Sequence, residues 1–160
     1  MPIQTKVEGL KELSEMLSQM GEDAGKIASG GLYEGAGIMA DEIKRGAEGI
    51  KTSPFRYAVF ITRDPSPEEK AAVLEAGVGI ARFDKNGSEV NTSVGYRNAG
   101  YTTINGKTKP IPQIVNAINS GTSFMKKQPF VRKAATTGAK KAGDAITKYI
   151  EAKFEALKKK

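Results

Sequence analysis

The stretch INSGTSFMKKQPFVRKA, Ile118 to Ala134, marks the point where a polar, glycine-bearing loop turns into a long closing helix. Pro129 has a fixed φ and no N–H, which suits the first turn of a helix, so the spacing predicts a helix from there onward. From Val131 the apolar residues fall at Ala135, Ala142, Ile146, Tyr149, Ile150, Phe154 and Leu157, steps of three, four or seven that lie along one helical stripe. The opposite face is mostly lysine. Between Lys126 and Lys160 stand eleven Lys or Arg against three acids, a net of +8 in a chain whose total is +7. The preceding 125 residues hold fourteen bases and fifteen acids, so the charge is housed in the last quarter.

A chain of 160 residues is long enough to bury a core without metals or disulfides, and it reads as a single domain over 1–160. Within it the expected layout is helical over 8–50, β-rich over 55–112, a loop over 119–129 and the basic helix over 130–157. Cysteine, histidine and tryptophan are absent. That removes thiolate nucleophiles, Cys/His zinc sites, disulfides and the usual neutral-pH general base. No run approaches the roughly 18 apolar residues of a membrane span, and MPIQTKVEG lacks the apolar core of a signal peptide. A soluble protein of the cytosol, with no membrane partner, is the expectation. Basic charge gathered at one end points to an acidic partner, whether nucleic acid, anionic membrane surface or acidic protein face.

Outward from the closing helix, Ile3 to Val7 reads as extended, and Leu10, Leu13, Leu17 and Met20 mark a first amphipathic helix ended by Gly21. A second helical pattern covers about Asp23 to Gly49, with Ile27, Leu32, Ala36, Met39, Ile43, Ala47 and Ile50 as its stripe. Its glycines at 25, 30, 31, 35, 37, 46 and 49 each cost roughly 0.5–1 kcal/mol against alanine. Either the helix breaks near Gly30-Gly31, or its small residues admit another helix or a neighbouring subunit at close range. Tyr57 to Thr62 reads as extended. Ser66 is an N-cap with Glu69 at the capping-box position, opening a short helix through Leu74. Val78 to Phe83 and Glu89 to Tyr96 flank the Asn86-Gly87 turn, and a second Asn-Gly, Asn105-Gly106, sits between YTTI and KTKPI. Pro110 and Pro112 stop the strand, and Ile111 to Asn119 reads as a short helix or an edge segment before the Ser120-Gly121 turn. The fold class is α+β: a small antiparallel sheet of two hairpins packed by the long second helix and the long C-terminal helix.

Catalytic chemistry finds little purchase. No glycine is followed at the right distance by the Gly-Lys-Ser/Thr of a P-loop, and Gly77-Val78-Gly79 precedes a strand pattern where a dinucleotide fingerprint needs a helix, so it reads as a bend. Asp41/Glu42 and Glu68/Glu69 are adjacent on helical segments, diverge by about 100°, and read as solvated charges rather than an acid–base dyad. A nucleophilic serine or lysine would need a lysine or carboxylate base, which no spacing suggests. The expectation is a non-enzyme with no cofactor and no metal. Asn91-Thr92-Ser93 matches a glycosylation sequon by chance.

The basic helix has two readings: a solvated face whose lysine stems cover apolar surface, or an electrostatic footprint on phosphate. The candidate DNA or acidic-partner face is Lys126, Lys127, Arg132, Lys133, Lys140, Lys141 and Lys148. With one arginine among lysines, any nucleic-acid contact would be non-specific and salt-dependent. The candidate subunit interface is the loop of Gly121, Thr122, Ser123, Phe124, Met125, Gln128, Pro129 and Phe130, whose apolar residues are costly to expose. The alternative is that this loop tucks back on its own core.

The order of these pieces resembles the head-tail joining, or tail completion, proteins of long-tailed (siphovirus-type) bacteriophages, the gene-10-like phage family. That family opens with V-x-G-L-x-E-L, matched by Val7-Glu8-Gly9-Leu10-Lys11-Glu12-Leu13, and continues through an alanine- and glycine-bearing second helix. Its middle V-G strand is similar to Ser93-Val94-Gly95-Tyr96. Its G-T-S…x-P-F-x-x-x-A signature is similar to Gly121-Thr122-Ser123 followed by Gln128-Pro129-Phe130-Val131-Arg132-Lys133-Ala134. Where the family has A-P-x-x-T-G-x-L, this chain runs Lys51-Thr52-Ser53-Pro54-Phe55 into a longer insertion ending at Pro67. The resemblance implies a structural virion component assembled in the bacterial host cytoplasm. It implies a homo-oligomeric ring, six-fold, at the tail-tube end of the head-tail junction, with tail tube and head connector proteins as partners. The runner-up function is a non-specific DNA-binding architectural protein.

Overall fold

A computed structural model provides the structure of the chain and describes residues 22–59, 63–86 and 89–158. The expected Ile3–Val7 extended segment, the first helix through Met20 and the Gly87 half of the Asn86-Gly87 turn lie outside the described residues. The order of elements is α1 (Glu22–Glu48), α2 (Thr52–Val59), α3 (Pro67–Leu74), β1 (Gly79–Ile80), β2 (Asp84–Asn86), β3 (Glu89–Asn91), β4 (Val94–Gly95), β5 (Tyr101–Ile104), β6 (Lys107–Pro110), α4 (Ile111–Ser120) and α5 (Phe130–Lys158). The class is α+β, with the two long helices packed on each other.

The glycine-rich helix is unbroken from Glu22 to Glu48, because α5 supplies what its backbone lacks. Gly31, Gly35, Met39, Ile43 and Ala47 recur every fourth residue and form one ridge; Ala134, Gly138, Ala142, Ile146 and Ile150 form the matching ridge of α5. The helices run antiparallel, and each glycine faces a large side chain opposite. A Cβ on Gly31 would lie 3.1 Å from Ile150 Cγ1, one on Gly35 would lie 2.6 Å from Ile146 Cδ1, and one on Gly138 would lie 2.8 Å from Met39 Sδ. Three glycines at up to about 1 kcal/mol each are offset by burying Met39, Ile146 and Ile150, worth about 1.5–3 kcal/mol apiece. Close packing within the chain therefore resolves the glycine question left open by the sequence. The stripe expected on α5 is shifted by one residue at its start, to Ala134 rather than Ala135, and Leu157 at its end is 38% exposed.

A second cluster fills the space beside the C-terminal half of α1. Phe55, Ala58 and Val59 of α2, Val73 and Leu74 of α3, Ile111, Ile114, Val115 and Ile118 of α4, and Phe130 and Val131 of α5 meet there with Tyr96 and Ile104. The extended run expected from Tyr57 is thus corrected: Thr52–Val59 is helical, with 60–62 outside the described residues. Phe55, Ala58 and Val59 fall at helical spacing on the buried face, and Pro54 sits in the first turn where its missing N–H costs nothing. The Ser66–Glu69 capping box forms in both directions and opens α3. Lys70 of α3 donates to Ile50 O at 2.7 Å just beyond the end of α1, tying the two helices together. Tyr96 donates its hydroxyl to Leu74 O, capping the last turn of α3 from the strand side.

The strands form three two-stranded antiparallel ladders rather than one continuous sheet. In β5–β6 the turn is Asn105-Gly106 with φ of 53° and 71°, the two positive angles an Asn-Gly hairpin needs. The first hairpin carries two ladders, β1–β4 and β2–β3, with Gly79 opposite Gly95 and Asp84 opposite Asn91. The registers differ by one residue, so Ala81 to Phe83 contain an extra residue against Thr92-Ser93, a bulge that splits the hairpin. Thr92 spans it by donating to Ala81 O at 2.8 Å. The hairpin lies against α1, where Phe83 meets Tyr33.

Candidate assembly surface

Helix α4 ends at Gly121, whose φ of 79° lies in the left-handed region, and a Cβ there would stand 2.8 Å from Lys127 N. Only glycine fits this junction. Thr122 and Met125 then exchange two backbone hydrogen bonds, Thr122 N to Met125 O at 2.9 Å and Met125 N to Thr122 O at 3.2 Å, which pins a tight turn with Ser123 and Phe124 at its tip. Gln128 N donates to Ile118 O at 2.8 Å and draws the loop back along α4. Pro129 O accepts from Lys133 N at 3.0 Å, the first bond of α5.

The loop divides between the two readings the sequence allowed. Met125 and Phe130 are buried in the chain's own core, with Phe130 edge-on to Tyr96, and Gln128 and Pro129 are half-buried. Phe124 points outward and is 82% exposed, the most exposed of the large apolar residues described. Thr122, Ser123, Lys126 and Lys127 flank it in the open, and Gly121 is half-buried.

On α5, Arg132, Lys133, Lys140, Lys141 and Lys148 are all exposed. From Lys126 to Gly143 there are six bases and no acid; Asp144, Glu151 and Glu155 dilute the charge farther along. The positive end of the helix is therefore the end beside Phe124. Arg45, Lys127 and Lys133 line a cleft of about 380 Å³ there, between the end of α1 and the start of α5.

Two of these cations, Lys141 and Arg45, are already engaged. Lys141 Nζ lies 2.7 Å from Glu42 Oε1, and Arg45 Nη1 reaches the same oxygen at 2.7 Å. Glu42 is not the solvated charge its sequence position suggested but a buried carboxylate at the α1–α5 seam, 8% exposed. The Lys141 hydrogen bond, with help from Arg45, holds its carboxyl below the usual carboxylate range against the cost of burial. Glu69 likewise is no free charge: Arg63 grips it at 2.5 and 2.8 Å and lowers its pKa to about 2.

Sequence reasoning passed over a second concavity, a groove of about 850 Å³ between the β1–β4 ladder and α4. Gln113, Asn116 and Asn119 stand three residues apart in α4, and that carboxamide spacing was its visible signal. Among the described residues no three His, Cys, Asp or Glu side chains gather as a metal site, and no helix is long and apolar enough to cross a membrane. The chain matches no protein-family model, no curated protein and no solved structure.

Proposed function

We propose that this chain is a non-enzymatic structural subunit of a long-tailed bacteriophage, a head-tail joining or tail completion protein. It would assemble as a ring, six-fold, at the tail-tube end of the head-tail junction, after synthesis in the host cytoplasm. The observation that supports this reading is Phe124. A phenyl ring held out on a pinned turn, while its neighbours Met125 and Phe130 are packed inward, is what a subunit contact needs before assembly. Ring contacts join two different faces of each copy, so Phe124 would meet a surface other than itself on the next subunit. The cationic end of α5 beside it would face an acidic partner ring or packaged DNA.

Light scattering over a concentration series, alone and with tail tube protein, tests the reading. Rising mass that is abolished in Phe124→Ser supports it; a protein absent from a complete neck in electron micrographs of the phage overturns it. A second reading, a non-specific DNA-binding protein, draws on the six bases from Lys126 to Lys141 uninterrupted by acid. A monomer that binds duplex DNA with a steep salt dependence, weakened by Lys133→Gln with Lys140→Gln, would favour it.

A further inference from the structure

The two long helices carry opposite charge. Helix α1 holds six acids against three bases, and α5 holds seven bases against three acids. Side by side in the chain, they share the Glu42–Lys141 ion pair across their seam, but that bond accounts for one acid and one base.

Much of the remaining charge is ordered. Glu34, Asp41 and Glu48 recur every seventh residue of α1, two turns apart, so they form one line with a pitch of about 10.5 Å. All three are exposed, and none has an ion pair among the described residues. The cations nearest them in sequence do not neutralise the line: Arg45 is bonded to Glu42, and Lys44 forms no ion pair among the described residues. On α5, Lys133 and Lys140 form a line of the same pitch, and Lys141 and Lys148 form a second about a quarter turn round. These lysines are exposed too, with Asp144 the one acid between them, and of the four Lys141 alone has an ion pair among the described residues.

We propose that the lysine lines of α5 take the acidic line of α1 from a second copy of this chain, with Lys133 and Lys140 opposite two successive acids. The inference builds on the ring reading above and names the contact through which the ring would close. One half of the contact comes from α1 and the other from α5, so each copy offers two different faces, as a ring requires. Duplex DNA would answer the lysines alone and leave the acids of matching pitch without a partner, which favours a second copy. Exposed ion pairs are individually weak, so the lines would fix register and hasten encounter while Phe124 supplies apolar area. Lys126, Lys127 and Arg132, at the loop end of α5, are left for the acidic partner ring or DNA.

Charge reversal of each line, read by light scattering of the full chain, tests it. Lys133→Glu with Lys140→Glu, and separately Glu34→Lys with Asp41→Lys, are each expected to weaken self-association by about tenfold or more. All four sites are exposed, so both variants should keep the wild-type thermal melt. An equimolar mixture of the two should regain the wild-type mass, because its contacts are either intact or reversed on both sides. Both variants keep a net positive charge, so general attraction between them cannot produce that rescue. An unchanged mass in either variant, a mixture that fails to recover, or a wild type that stays monomeric would each overturn the inference. A ring that ignores the swap leaves the joining role standing, whereas a mass that halts at a dimer yet obeys the swap keeps this contact and overturns the ring.

Discussion

Gly35 of α1 lies directly under Ile146 of α5, so close that a methyl group on Gly35 would fall 2.6 Å from Ile146 Cδ1 and 3.3 Å from the Ala142 carbonyl oxygen. Ile146 is 3% exposed and has little room to retreat. Gly35→Ala gains up to about 1 kcal/mol of helix propensity but overpacks a closed seam, which costs about 1–3 kcal/mol, so the variant is expected to be destabilised. Gly37, two residues on, has nothing within 4 Å of its missing Cβ. Gly37→Ala should stabilise the chain by about 0.5–1 kcal/mol. Urea unfolding of the two variants checks both signs.

Acid should weaken the fold through two named carboxylates. Glu42 and Glu69 both sit below their ordinary 4.5 in the folded chain, Glu42 through the Lys141 hydrogen bond and Glu69, at about 2, through Arg63. A carboxylate whose folded pKa is lowered stabilises above its unfolded value and loses that contribution as pH falls through the folded one. Stability is therefore expected to decline from about pH 4.5 toward pH 2. Glu69→Gln retains a capping-box side chain but not the Arg63 ion pair. Its stability deficit against the wild type should be constant near neutrality, shrink below about pH 4.5 and vanish only below about pH 2, which urea titrations at stepped pH would show.

The Tyr96 hydroxyl is buried, and burial with the nearby Glu75 charge pushes its ionisation well above the usual range. It donates to the Leu74 carbonyl, a helix-end acceptor that has no other donor in its own helix. Tyr96→Phe is expected to cost about 1 kcal/mol in denaturant unfolding. The tyrosine should also fail to contribute phenolate absorbance until the chain unfolds in alkali.

Phe124 is expected to matter to assembly and not to folding. Phe124→Ser alters an exposed turn tip, so its unfolding free energy should stay within about 0.5 kcal/mol of the wild type. Gly121→Ala, three residues earlier at the same loop's base, should be far more harmful, because φ of 79° and the Lys127 N–H leave no place for a Cβ. Thermal melts of the pair separate the exposed residue at the loop's tip from the residue that builds the loop.

How much of this could be read from the chain depends on the range of the forces involved. Nearest-neighbour chemistry was enough for the Ser66 capping box, the Asn105-Gly106 turn, the glycine that ends α4 and the start of α5 after Pro129, because each is a matter of local dihedrals and hydrogen bonds within a few residues. The same was true of the charge gathered in the last quarter. The run from Tyr57 misled, since aromatic and β-branched residues favour strands in isolation while Ala58 and Val59, with Phe55 before them, suit a helix once a core lies on one side.

Long-range contact settled the remainder. Glu42 lies 99 residues from Lys141, and nothing in either neighbourhood says that they meet. The glycines of α1 cost stability alone and become useful only where Ile146 and Ile150 cross them, a relation between two surfaces that no window of sequence contains. The same holds for Phe124 and Met125, adjacent in the chain and alike in hydrophobicity, one turned to solvent and the other inward, because the orientation of a side chain on a turn is set by where the rest of the fold leaves room.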